Sequence, residues 1–237
     1  MKRVVIIALI STMMIGLSGC MFIQNGNSIY KQMVEYMEEK YGEEFTFIEA
    51  TGTNKIKGSS QREATVSTER FPREQISVMA DKDEDGNYYF RDNYVSFLLR
   101  DEIEKLLTEI AAPIYKDCKV IFDANTPVYP EETGKEITMD EYIKWGSLNI
   151  YICLGPGADV EKKDEDIEKL RLKLKEKGVS CSILLWYFKD DKLGGIDHSN
   201  YRRYRNYSDS EIREELKTIG VFDMHPSTYE FYYSNWW

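Results

Sequence analysis

Residues 148–154, 161–177 and 179–188 read as strand, helix and strand, and no other stretch of the chain limits its fold so sharply. The segment 179–188 is apolar on both of its alternating faces, the mark of a strand covered on two sides. Between the strands, Ile167, Leu170 and Leu174 recur at helical spacing within a charged stretch, and Gly178 supplies its stop. A strand, a crossover helix and a second strand joined in this way form a parallel pair. Around this unit the reading places a short strand at 119–122 and a loop at 126–135 carrying Pro127, Pro130 and Gly134. Thr138 with Glu141 forms a capping box before a brief helix. Ser208 with Glu211 repeats that pattern before a helix to about Thr218, and 229–234 forms the last strand. Trp236 and Trp237 lie past that strand, free to pack on a partner or a glycan.

The preceding half has a different rhythm. Ser28 can cap a helix to Tyr41 in which Ile29, Met33, Met37 and Tyr41 recur every fourth residue, and Gly42 ends it. Its methionine stripe reads as core in preference to a partner groove. Strands follow at 45–51, 63–68, 75–80 and 87–91, after which Asp92 caps a long helix through Ala111 that Pro113 closes. The fold class expected is α+β: a helix, antiparallel sheet and helix module at 28–117, then a mixed α/β module at 118–237.

The first residues carry an address. Lys2 and Arg3 precede a 14-residue uncharged stretch from Val4 to Leu17, too short to span a bilayer, which needs about 20 residues, but matched to the core of an export signal. It ends in Leu17-Ser18-Gly19-Cys20, which resembles the lipobox of bacterial lipoproteins. That resemblance implies cleavage after residue 19, a diacylglycerol thioether on Cys20, and a protein held at the extracytoplasmic face of the cell membrane. Residues 20–27 then form a tether that sets the folded body within about 30 Å of the bilayer. Residues 28–50 also resemble the openings of uncharacterised lipoproteins from Firmicutes, a likeness that implies no activity.

Charge and cysteine content narrow the function classes. With 31 Lys and Arg against 41 Asp and Glu the chain is at net −10, which disfavours a nucleic-acid partner. Beyond Cys20 there remain Cys118, Cys153 and Cys181, either all buried thiols, the reading preferred, or including one bridge between Cys153 and Cys181. Asp81, Asp83, Asp85, Gly86 and Asp92 copy part of a calcium-loop spacing, yet Asp85-Gly86 between two strands is foremost a hairpin signal. Gly155-Pro156-Gly157 lacks the donors and lysine of a phosphate loop and reads as a plain turn. Only His198 and His225 are present, no nucleophile motif occurs, and adjacency of Asp197, His198 and Ser199 makes no triad, so no catalytic residue, metal ligand or cofactor is expected.

The best candidate for binding is Tyr201-Arg202-Arg203-Tyr204-Arg205, a basic and aromatic segment in an acidic protein. Arg202, Arg203 and Arg205 with Tyr204 suit an anionic ligand or an envelope partner, or else pair with the chain's own acids. The expectation is a lipid-anchored protein with a non-catalytic binding or scaffold ectodomain. The alternatives are an envelope glycan or peptide hydrolase working through acidic residues and a solute-binding lipoprotein of a transporter.

Overall fold

The computed structural model describes residues 29–52, 61–125, 134–206 and 208–237, and the chain divides into two compact units after Asp92. Cys20, the tether, Ser28, Pro127 and Pro130 lie outside the described residues.

In the first unit, α1 (Ile29–Tyr41) precedes a four-stranded antiparallel meander, β1 (Thr46–Gly52), β2 (Arg62–Ser67), β3 (Ile76–Lys82) and β4 (Tyr88–Asp92). Met33, Met37 and Tyr41 are buried along one stripe of α1, which packs on β1, β2 and β3, where Ala64, Val66, Ile76, Val78 and Ala80 are fully enclosed. The methionines are therefore core. Gly42 closes the helix at φ +67°, its amide donating to the Glu38 carbonyl at 2.8 Å. Between β3 and β4 the Asp83 carboxylate accepts from the amides of Asp85 and Asn87, and Gly86 turns the chain at φ +84°. This is the hairpin turn that Asp85-Gly86 signals.

Asp92 does not cap the long helix. Asn93 holds the cap position without a side-chain capping bond, while Asp92, 1% exposed, turns into the first unit. There it accepts from the hydroxyls of Tyr36 at 2.8 Å and Tyr41 at 2.7 Å and from Lys40 Nζ at 2.8 Å. A buried cation and two phenols outbid the helix terminus for this carboxylate. Asp92 thereby also points away from the hairpin turn whose twelfth calcium ligand it would have supplied.

The second unit begins with α2 (Tyr94–Ala111), which the sequence reading joins to the first module but which packs on β5 (Cys118–Phe122). There follow α3 (Met139–Tyr142), β6 (Leu148–Leu154), α4 (Lys163–Glu176), β7 (Cys181–Phe188), α5 (Ser210–Glu215), β8 (Leu216–Met224) and β9 (Phe231–Trp236). The strands lie in the order β5-β6-β7-β8-β9, with β6 and β7 parallel and the other neighbours antiparallel. The fold is thus α+β, with an antiparallel first sheet and a mixed second one. The Thr138–Glu141 capping box forms, and α4 ends at Gly178 with φ +67°.

Three local expectations are corrected. The helix carried to Thr218 stops at Glu215, and 216–224 is a full strand between β7 and β9. Its cap is Asp209, which accepts from the Glu211 amide at 2.9 Å, and not Ser208. The last strand runs through Trp236, whose ring packs on Phe222 and Tyr187 and whose Nε1 donates to Asp164 at 2.8 Å. A Cβ at Gly220 would overlap the Trp236 and Phe222 rings, so glycine is what lets β8 pass beneath them.

Alternation along the strands defines two buried faces. Ile150, Ile152, Ile183 and Leu185 line one; Ile121, Tyr151, Cys153, Trp186, Phe188 and Ile219 line the other. The second face is covered by Ile196, Tyr201, Tyr204 and Ile212, which all come from the connection between β7 and β8.

Candidate functional site

That connection holds the basic aromatic segment. Asp197 starts it: its carboxylate accepts from the Ser199 amide at 2.8 Å and its carbonyl from the Tyr201 amide at 3.0 Å. Tyr201–Arg205 then turns as a 3-10 helix, in which residues three apart share a face. Tyr201 and Tyr204 consequently point together into the sheet. Tyr201 lies 4.8 Å from the Tyr151 ring, and Tyr204 lies 5.6 Å from Trp186 and 5.0 Å from Phe188. The arginines between them are left facing outward and sideways.

Each arginine then finds a different environment. Arg202 donates from Nη2 to Asp123 Oδ1 at 2.8 Å and from Nε to the Tyr201 hydroxyl at 3.0 Å. Arg205 Nη1 stands 3.9 Å from Asp123 Oδ2 and remains 55% exposed. Arg203 instead pairs with Glu215 at 2.9 Å, and Tyr204 donates to the same carboxylate at 3.1 Å. Lys192 completes that second group at 2.8 Å from Glu215. Of the four candidate residues, then, Arg202 and Arg205 converge on Asp123, while Arg203 and Tyr204 are spent on Glu215.

Asp123 is the residue that sequence reasoning missed. It follows β5 directly, with its amide donating to the Asn149 carbonyl at 2.9 Å, and it is 3% exposed. Burial by itself would raise its carboxyl, but the hydrogen bond and charge of Arg202, with Tyr201 and the Asn125 amide, outweigh burial and hold it below the ordinary carboxylate range. The neighbouring phenols respond in the opposite sense. Tyr151 is pushed up to about 12 by burial and the Asp123 charge, and Tyr201 is raised for the same two reasons. Both therefore stay protonated at neutral pH. The Tyr151 hydroxyl lies 3.4 Å from Asp123 Oδ2. Nothing local distinguishes Asp123 from the other acids; only the return of the 201–205 segment to the end of β5 does.

The centre formed by Asp123, Arg202 and Arg205 carries one negative and two positive charges inside an acidic protein. It can hold an anionic group on the outer edges of the two guanidiniums, with Arg202 already oriented. His198 lies next to it but faces Glu104 of α2 at 3.1 Å, whereas Ser199 bonds to Asp197, so these three neighbours do not converge. Among the described residues no group of three or more His, Cys, Asp or Glu is arranged to hold a metal ion.

The thiols are also placed. Cys118, Cys153 and Cys181 are free. In the parallel ladder Cys181 sits opposite Leu148 and Cys153 opposite Trp186, so the two cysteines are five residues out of step and on opposite faces. At about 3.3 Å per residue that is some 16 Å along the strand, far beyond disulfide reach. Burial pushes the Cys153 thiol up to about 12 and raises that of Cys181 too.

No family model matches the chain, and no curated protein matches it. Among solved structures it is similar to a DUF5037 family protein from Ruminococcus gnavus ATCC 29149, at 14% identity and a TM-score of 0.45, over 87% of this chain and 95% of that one.

Proposed function

We propose that this chain is a bacterial lipoprotein, tethered by lipid at Cys20 to the extracytoplasmic face of the cell membrane, whose folded body binds an anionic group of an envelope component through Arg202 and Arg205. The observation that carries the anchor is the order of residues 2–20: two cations, an uncharged stretch, then Leu17-Ser18-Gly19-Cys20. Only residues 21–28 separate Cys20 from α1, so the body would sit close to the bilayer, within about 30 Å. What supports the binding role is the surplus positive charge around Asp123 and the 55% exposure of Arg205.

Two measurements test the two halves of this reading. Cells fed a clickable fatty acid should label the wild-type chain and not Cys20→Ala; equal labelling would remove the anchor. Purified from membranes, the wild-type chain and Arg203→Ala should recover the same envelope component, whereas Arg205→Ala should lose it. Arg203 is the contrast because Glu215 already occupies it. Recovery unchanged by Arg205→Ala would remove the binding site.

A further inference from the structure

The connection between β7 and β8 covers only part of the sheet face on which it packs. Beside the covered residues Trp186 and Ile219, the same face carries Ser182, Leu184, Val221 and Asp223, all partly exposed, whereas Ile183, Phe222 and Met224 on the other face are buried. The β8–β9 ladder sets Tyr233, Asn235 and Trp237 opposite Asp223, Val221 and Ile219, and so on this same face. Tyr233 is 42% exposed and Trp237 46%. Asp123, Asn149, Ser182, Asp223 and Tyr233 stand in register, one residue per strand, in a row about 19 Å long at about 4.8 Å per strand. The row starts at the carboxylate that Arg202 and Arg205 share. Among the described residues the side chains of Ser182, Asp223, Tyr233 and Asn235 have no hydrogen-bond partner.

We infer that this strip holds the body of the ligand whose anionic group Arg202 and Arg205 take, and that the ligand is an oligosaccharide with one acidic end. The inference rests on the anion site proposed above and adds the class of molecule. A sugar presents apolar C–H faces ringed by hydroxyls. Tyr233 and Trp237 offer rings to the first, while Asn235 between them, with Ser182 and Asp223, offers donors and acceptors to the second. A peptide strand recognises free backbone groups at a sheet edge, but on this face the backbone is already paired within the ladders. Charge then places the acid. Two guanidiniums against Asp123 make one end of the row positive, whereas the charge on the strip itself is that of Asp223, three strands away. A chain anionic at one end fits this field, and one anionic along its length meets Asp223.

The test probes immobilised short oligosaccharides with the full chain purified in mild detergent. The sugars fall into three groups: neutral, carrying one terminal carboxylate or phosphate, and anionic at every sugar. The singly acidic group should retain the chain, and the other two should not. Tyr233→Ala should bind about tenfold more weakly, and Tyr233→Leu, which keeps an apolar side chain on the strand, should show the same loss. Tyr89→Ala removes a tyrosine of similar exposure, 41%, from the first unit and should bind as wild type. Asp223→Asn should admit the repeatedly anionic chains that wild type rejects. Full binding by both Tyr233 variants, with loss on Arg205→Ala, would overturn the inference and leave the anion site standing. The reverse pattern would remove the anion site, and with it the acidic end of the ligand. Retention by no sugar, in a chain that still recovers its envelope component through Arg205, would assign the ligand to another class and sink the inference alone.

Discussion

Asp92 and Asp123 are two carboxylates withdrawn from water, 1% and 3% exposed, each hydrogen-bonded to a close cation and to phenol hydroxyls. Removing one member of a buried pair leaves the other charge uncompensated, which costs about 3–5 kcal/mol. The Lys40 side chain is only 9% exposed, so Asp92→Ala should lose about that much in urea unfolding. Lys40→Met combined with Asp92→Leu should lose less than Asp92→Ala alone, because no charge is stranded; a larger loss in the double variant would mean that the pair is worth more than its desolvation. Asp123 makes a different prediction, in pH. Its folded pKa lies below the ordinary 3.8, so the unfolded chain binds the extra proton, and stability rises with pH across this window. The contribution is complete above the unfolded value and is lost as pH falls through the folded one. Asp123→Asn should flatten the dependence of unfolding free energy on pH below about 5, and an unchanged slope would show that Arg202 does not hold the carboxylate.

At the level of elements, β8 shows why sequence patterns mislead. Ile212, Leu216 and Ile219 fall at helical spacing, and a capping pattern precedes them, so the local signals favour one long helix. Pairing with β7 on one side and β9 on the other overrides that preference after Glu215. Gly220, poor in a helix, was the legible clue. In contrast, the strand, helix and strand around α4 were readable outright, because strong apolar runs and a glycine stop agreed with the tertiary demand. The four meander strands were readable for the same reason. The partners of Asp92 and Asp123 were not, since each lies more than fifty residues away from its cation and no local pattern encodes such a pairing. Gly220→Ala should destabilise by about 1–3 kcal/mol through overlap with Trp236 and Phe222. Trp236→Leu in the same chain should recover part of that loss, because the two positions share one space. Additive melting shifts would place the overlap elsewhere.

Across the whole molecule, the proposed attachment to the membrane rests on lipid at Cys20. Among the described residues no helix is long and apolar enough to cross a bilayer. A net charge of −10 gives the chain no general electrostatic attraction to anionic lipid, and the Arg202 and Arg205 pair among 41 acids does not reverse that at physiological ionic strength. Lipid on Cys20 would therefore supply nearly all the membrane affinity. One acyl chain holds a protein only marginally, whereas two or more, at about 0.8 kcal/mol per buried methylene, resist extraction. These sources of affinity separate by salt and alkali. Surface adhesion weakens as ionic strength rises, but burial of methylenes does not. Wild-type protein in washed membranes should accordingly stay in the pellet through molar salt and through alkaline carbonate and leave only with detergent. Cys20→Ala should be released by buffer alone if its signal is still cleaved. If it is retained by the uncleaved apolar stretch, it should keep residues 1–19, which mass spectrometry distinguishes. Wild-type protein released by salt would instead assign the attachment to charge on the folded surface, and Cys20 would lose its role.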